Sequence, residues 1–178
     1  MLLGDVIEAE DAYTGSHSRD VVHLVVATSE RLGLQSRELR QAEFAAMLHD
    51  VGKMKIPSEL INKPGPLDDD ERALIKTHTI TGEAMLEQVG GLLGDVGRIV
   101  RSCHERWDGG GYPDGLAGEQ IPLAARIVCA CDAWSAMTTD RPYRSALSRE
   151  VATAELHACS GTQFDPRVVE SLAELLAT

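Results

Sequence analysis

His49 and Asp50 stand side by side at the end of an apolar stripe. By three- and four-residue spacing, Leu39, Ala42, Ala46, His49 and Lys53 share one helical face, which turns His49 inward with a carboxylate beside it. His17 falls in the same way on the stripe of Val21, Leu24 and Thr28. Either histidine alone reads equally well as a hydrogen-bonded core residue. Asp132 is harder to place. From Ile127 to Met137 the chain is apolar on nearly every face, and a helix of that kind is buried. An unpaired carboxylate there costs on the order of several kcal/mol, so Asp132 must be neutralised, paired with an arginine such as Arg126 or Arg101, or bound to a cation. His78 and His104 add two more imidazoles in helical or helix-end contexts. One metal cluster accounts for all these polar groups together. Imidazole and carboxylate ligands suit iron, manganese, zinc or nickel, whereas an oxygen-only set would suit calcium or magnesium.

Ligands scattered this widely need several helices around one core, and the sequence punctuates them. Ser16 and Ser18 precede a long periodic stretch that Gly33 closes, and Ser36 opens the next. Asp68, Asp69 and Asp70 crowd a first turn, where carboxylates favour the positive end of the helix dipole. Pro122 and Pro166 suit first helical positions, the second directly after the capping candidate Asp165. Ser148 is placed to cap a helix reaching about Cys159. No segment alternates apolar and polar residues long enough for a strand. The expected fold is all-α: a helical bundle of about seven to nine helices, forming a single domain over 1–178, with a metal centre in its core. Gly52–Pro66, with three prolines, and Asp108–Ile121, with five glycines, are expected to be irregular.

Composition narrows the function. The chain has 178 residues, 43% hydrophobic and 25% charged, proportions of a globular domain rather than a disordered one. Against 28 Asp+Glu stand 17 Lys+Arg, a net charge of −11. That argues against a nonspecific grip on DNA, RNA or an anionic membrane, and leaves room for a local basic spot that holds phosphate. No apolar run approaches the roughly 20 residues of a membrane span, and the N-terminus lacks the layout of a secretion signal. Cys103, Cys129, Cys131 and Cys159 show neither C-x-x-C spacing nor the density of a disulfide scaffold. A cytoplasmic location is the expectation.

Four segments then resemble known motifs. His49-Asp50-Val51-Gly52-Lys53 resembles the H-D-x-G-K core of the HD phosphohydrolase superfamily. His104-Glu105-Arg106-Trp107-Asp108-Gly109-Gly110-Gly111-Tyr112-Pro113 is similar to the H-E-x-x-D-G-x-G-Y-P segment of the HD-GYP family. Asp140-Arg141-Pro142-Tyr143-Arg144 resembles that family's D-R-P-Y-R, and Gly161-Thr162-Gln163-Phe164-Asp165-Pro166 its G-T-x-F-D-P. The matches run in family order from about Asp11 to Val169.

The resemblance implies an all-helical metal-dependent phosphodiesterase that opens cyclic di-GMP to linear pGpG and, in some members, to GMP. It implies two divalent metals, iron or manganese, with His17, His49, Asp50 and Asp132 as the basic ligand set. His78 and His104 extend that set to the second metal, and Asp50 bridges. In such a pair the metals hold a hydroxide for in-line attack on phosphorus. Lys53 is then placed to aid the leaving oxygen or orient the phosphate. The glycines around Gly111 let backbone amides approach the substrate, and Tyr112 offers a face for a guanine. Arg141 and Arg144 pair with phosphate oxygens through their planar forks. Outside this context Lys53 and the two arginines would read as solvated surface, and the glycine run as a flexible turn.

The sequence departs from the family at Cys103, where the first of two adjacent histidines is usual. A thiolate can ligate iron or zinc, so Cys103 is kept as a candidate seventh ligand, the alternative being a small buried residue. Tyr13 stands where three-metal members carry a glutamate, so two metals are expected. Ser135 replaces an aspartate and is taken to lie outside the ligand set. Three functions remain: an active cyclic di-GMP phosphodiesterase, a binding or signalling module whose turnover Cys103 has weakened, and an HD hydrolase for another nucleotide. Domains of this family are often fused to sensor domains, and the sequence leaves the oligomeric state open.

Overall fold

Helix caps set most of the boundaries. In a computed structural model, which describes residues 14–140 and 145–177 (side chains from 19 onward), eight α-helices of eight or more residues follow one another. They are α1 (Thr14–Arg31), α2 (Ser36–Leu48), α3 (Asp69–Lys76), α4 (His78–Val89), α5 (Leu92–Arg101), α6 (Leu123–Thr138), α7 (Arg149–Ala158) and α8 (Pro166–Leu176). Among the described residues there is no strand, only one isolated bridge between Ser160 and Phe164. The all-α expectation holds.

The caps explain why. Asp68 accepts from the Glu71 amide while the Glu71 side chain accepts from the Asp68 amide, a reciprocal box that starts α3. Ser148 caps α7, and Asp165 caps α8 with Pro166 in its first turn. Ser36 opens α2, as expected, and two local expectations shift: α1 already runs from Thr14, ahead of Ser16 and Ser18, and Pro122 lies just outside α6 as its cap. The stretch 52–66 contains a 3-10 turn, Val51–Lys55, and a single α-turn, Ser58–Ile61.

One core joins the helices. Val21 and Val25 of α1, Ala42, Ala45 and Ala46 of α2, Val96 and Val100 of α5, and Ile127, Val128 and Cys131 of α6 are all buried in it. α1 packs on α2 and α6, α2 also on α5 and α6, and α8 on α1 and α6. The small side chains of α2 let α6 approach closely, since interaxial distance follows the residues at the contact. This brings the end of α2, with His49, toward the middle of α6, with Asp132.

α2 ends at Leu48, so Lys53 is carried by the 3-10 turn and not by the α2 stripe. That turn packs on α4. The approach requires glycine: a Cβ on Gly52 would lie 1.9 Å from the His78 carbonyl oxygen. Asp50 and His78 are thus placed together by backbone contact.

Candidate metal centre

The ends of α2 and α4 aim their histidines by the same device. His49 Nδ1 lies 2.7 Å from the Ala46 carbonyl, and His78 Nδ1 lies 2.7 Å from that of Ile75. An Nδ1–H that donates to a carbonyl leaves Nε2 as the lone-pair nitrogen, the form in which imidazole binds metals. Each Nε2 faces carboxylates. His49 Nε2 is 3.5 Å from Asp50 Oδ2 and 3.8 Å from Asp132 Oδ1, while His78 Nε2 is 3.6 Å from Asp50 Oδ1. Asp50 therefore stands between two sets of groups, one on each oxygen. Its Oδ2 also accepts from Lys53 Nζ at 2.6 Å.

His104 completes the second set. Its ring is 5.0 Å from that of His78, centroid to centroid. One ligand atom from each of Asp50, His78 and His104 can be chosen so that all lie within 4.8 Å of one another. Among the described residues six buried side-chain N or O atoms lack a hydrogen-bond partner, and three are Asp50 Oδ1, His78 Nε2 and His104 Nε2. A buried polar atom without a partner is costly, and one cation held between these three would satisfy them together. The donor set, two imidazoles and a carboxylate, fits a divalent transition metal.

Electrostatics sort these groups. Burial opposes charge on His49, but Asp50 and Asp132 outweigh it and hold its pKa above the ordinary histidine value. Burial would raise the Asp50 pKa, but His49, Lys53 and His78 together hold it far below the usual carboxylate range. Burial dominates at the other two, lowering His78 and pushing His104 down to about 4. His104 is thus a neutral imidazole at neutral pH, ready to ligate.

Asp132 lies on α6 with its side chain 25% exposed, toward His49. The arginines considered as its partners are engaged elsewhere: Arg126 with Asp165, and Arg101 with Glu83 and Asp114. Cys103 is buried outside the Asp50–His78–His104 group, and its thiol donates to the Ile99 carbonyl at 3.3 Å. Burial pushes that thiol's pKa well up, so it is held as S–H. Ser135 is buried on α6. The side chain of His17, on α1, and residues Arg141 and Arg144 lie outside the described residues.

The glycine-rich segment comes to the same place. Tyr112 stacks on His104 with an interplanar angle of 13°, and its amide donates to the His104 carbonyl. Several amides of this segment are engaged within the protein. Asp108 takes that of Gly110, and Glu105 takes those of Asp114, Gly115 and Leu116. Sequence reasoning gave Glu105 no role. Its available signal was a carboxylate directly after a candidate ligand and just ahead of a run of unpaired amides. Lys76, whose Nζ is 5.1 Å from the Tyr112 ring centroid, was likewise missed.

A family description, "HD domain", matches residues 1–168. The chain belongs to the HD domain family. Over 171 residues it is 42% identical to the cyclic di-GMP phosphodiesterase response regulator RpfG of Xanthomonas campestris, covering 96% of this chain and 45% of that protein. It is 35% identical to the 3'3'-cGAMP-specific phosphodiesterase 2 of Vibrio cholerae, covering 97% and 33%. The chain spans about half or less of the length of the curated relatives it matches first. Among solved structures, a cyclic GMP-AMP specific phosphodiesterase of V. cholerae superposes with a TM-score of 0.78 at 22% identity, covering 99% of this chain and 47% of that one. That likeness shows the same helical fold.

Proposed function

We propose that this HD domain is a metal-dependent phosphodiesterase that hydrolyses cyclic di-GMP to pGpG and, in a second cut, to GMP. The observation that carries the reading is the convergence of three buried, unpartnered ligand atoms on Asp50, His78 and His104. The names of relatives at 35–42% identity support the substrate class. Asp50, His78 and His104 would hold one divalent ion, and His49 and Asp132, with His17 by the family pattern, a second, Asp50 contributing to both. Iron or manganese suits this mixed nitrogen and oxygen set. When bound, such ions supply Lewis acidity toward a phosphate oxygen and toward the attacking water.

The protein's own groups do the rest. pGpG carries a 5′-phosphate, so the bond that breaks joins phosphorus to the ribose 3′-oxygen. Lys53, 40% exposed on the rim, presents Nζ beside Asp50 Oδ2. From there it orients a phosphate oxygen and donates a proton to the departing 3′-oxygen. Arg141 and Arg144 are assigned to the second phosphate. Control by a fused or associated sensor domain belongs to the same reading, supported by the response-regulator name of the Xanthomonas relative.

The test is turnover of cyclic di-GMP by protein loaded anaerobically with Fe²⁺ or with Mn²⁺, followed by chromatography of the products. Linear product is expected, with kcat lowered about 1,000-fold or more in Asp50→Asn, because asparagine keeps a single oxygen and no charge and so cannot serve both ligand sets. Tight nucleotide binding with no hydrolysis by the loaded protein would decide for a binding module, the reading that the substitution at Cys103 favours. Cleavage of 3'3'-cGAMP alone would keep the chemistry and change the substrate.

A further inference from the structure

Glu105 follows His104 directly, yet it is 2% exposed and turned away from the ligand atoms. Its Oε1 accepts from the amides of Asp114 at 2.7 Å and Gly115 at 3.1 Å, and its Oε2 from that of Leu116 at 3.1 Å. The glycine-rich segment is thereby folded back onto its own beginning. Gly111 lies at the crossing, where a Cβ would be 2.3 Å from the Arg106 nitrogen. Arg101 of α5 grips Asp114 through two nitrogens, at 2.7 and 2.8 Å, and reaches Glu83 of α4 at 2.7 Å. The segment is pinned to the helix that carries His78 and to the residues that follow His104.

What this pinning delivers is the Tyr112 ring. It lies 5.2 Å from the His104 ring, nearly parallel, and 6.4 Å from that of His78, edge-on at 75°. Lys76 Nζ packs on the same ring. His49 and His78 are each turned by an Nδ1 hydrogen bond to a carbonyl. Among the described residues His104 makes no such bond, although a ligating imidazole needs its plane fixed as much as its distance. A ring already packed against an imidazole and an ammonium is poorly placed to receive a purine as well.

We propose that Tyr112 is a positioning residue, held by Glu105, that fixes His104 and His78 for the second metal rather than offering a stacking face to a guanine. The proposal rests on the metal-centre reading above. Its test is a titration of the whole chain with Mn²⁺ alone, following free Mn²⁺ by electron paramagnetic resonance, for the parent, Tyr112→Phe, Tyr112→Leu and Glu105→Gln. Tyr112→Phe keeps the ring and should bind within about two-fold of the parent, whereas Tyr112→Leu and Glu105→Gln should weaken one of the two sites by about 10- to 100-fold. Ser148→Ala, which removes the cap of α7 and lowers stability on a helix that carries none of these ligands, should leave Mn²⁺ affinity as in the parent, separating positioning from general loosening. Should Glu105→Gln fail to fold, the two Tyr112 variants decide alone. Parent-like Mn²⁺ binding by Tyr112→Leu, with cyclic di-GMP affinity reduced, would overturn the proposal in favour of the base platform and leave the metal centre standing. Failure of the parent itself to bind Mn²⁺ would overturn the metal-centre reading and this proposal together.

Discussion

Asp50 faces different groups with each oxygen, Oδ1 toward His78 and Oδ2 toward His49 and Lys53. Asp132 joins the second of these groups, with Oδ1 3.8 Å from His49 Nε2. Asp132→Ala should therefore reduce metal per chain without unfolding α6, whose neighbouring side chains are already apolar. Elemental analysis beside circular dichroism checks this, and unchanged metal content would remove Asp132 from the ligand set. Cys103 makes the opposite prediction. Its thiol is buried, held as S–H and bonded to Ile99, so it should stay unreactive toward iodoacetamide in folded protein whether or not a chelator is present. Protection that depends on metal, read by peptide mass spectrometry, would return Cys103 to the ligands.

The elements that hold these residues differ in how openly the sequence announces them. Caps at Ser148 and Asp165 are local chemistry, and each was legible, whereas Asp68, read with Asp69 and Asp70 as part of a first turn, is the cap itself. The break between α3 and α4 at Thr77 was not legible, because no glycine or proline marks it. There the Thr77 hydroxyl donates to the Leu74 carbonyl, and packing of α4 on the 3-10 turn sets the new direction. Gly52 is read in sequence only as a motif letter, and its physical reason is a tertiary contact. Gly52→Ala places a methyl group within 1.9 Å of a backbone oxygen that cannot move alone. The 3-10 turn must separate from α4, carrying Asp50 and Lys53 away from His78. A loss of about 3 kcal/mol, the upper end for overpacking, is expected by urea denaturation, together with weaker Mn²⁺ binding. Parent-like values for both would show that the turn has slack.

Across the whole molecule, residues far apart in sequence meet in ways that composition and spacing do not reveal. His49, Asp50, His78, His104 and Asp132 were legible as a set because polar groups on apolar faces demand a common explanation. The partners of Arg126 and Arg101 were not, because an arginine can choose among many carboxylates until the fold is known. Arg126 chooses Asp165, at 2.6 Å, with side chains 11% and 1% exposed. Its Nε also donates to the Ile121 carbonyl, and its guanidinium lies 5.6 Å from the Trp107 ring centroid. Asp165 at the same time caps α8 through the Arg167 amide, while Thr162 and Gln163 accept from the amides of Asp108 and Trp107. One buried pair thus joins α6, α8 and the start of the glycine-rich segment. Removing only the carboxylate strands a buried cation and deletes a cap, so Asp165→Ala should cost about 3–5 kcal/mol, a fall in Tm on the order of 10 °C. If the stranded charge is the main cost, Arg126→Met combined with Asp165→Asn should recover most of the loss, because asparagine still caps α8 and no unpaired charge remains. Thermal melts of the two proteins decide it. A double variant no more stable than Asp165→Ala would mean that the pair stabilises through its geometry, by the shape in which it locks three elements, and not by neutralising Arg126.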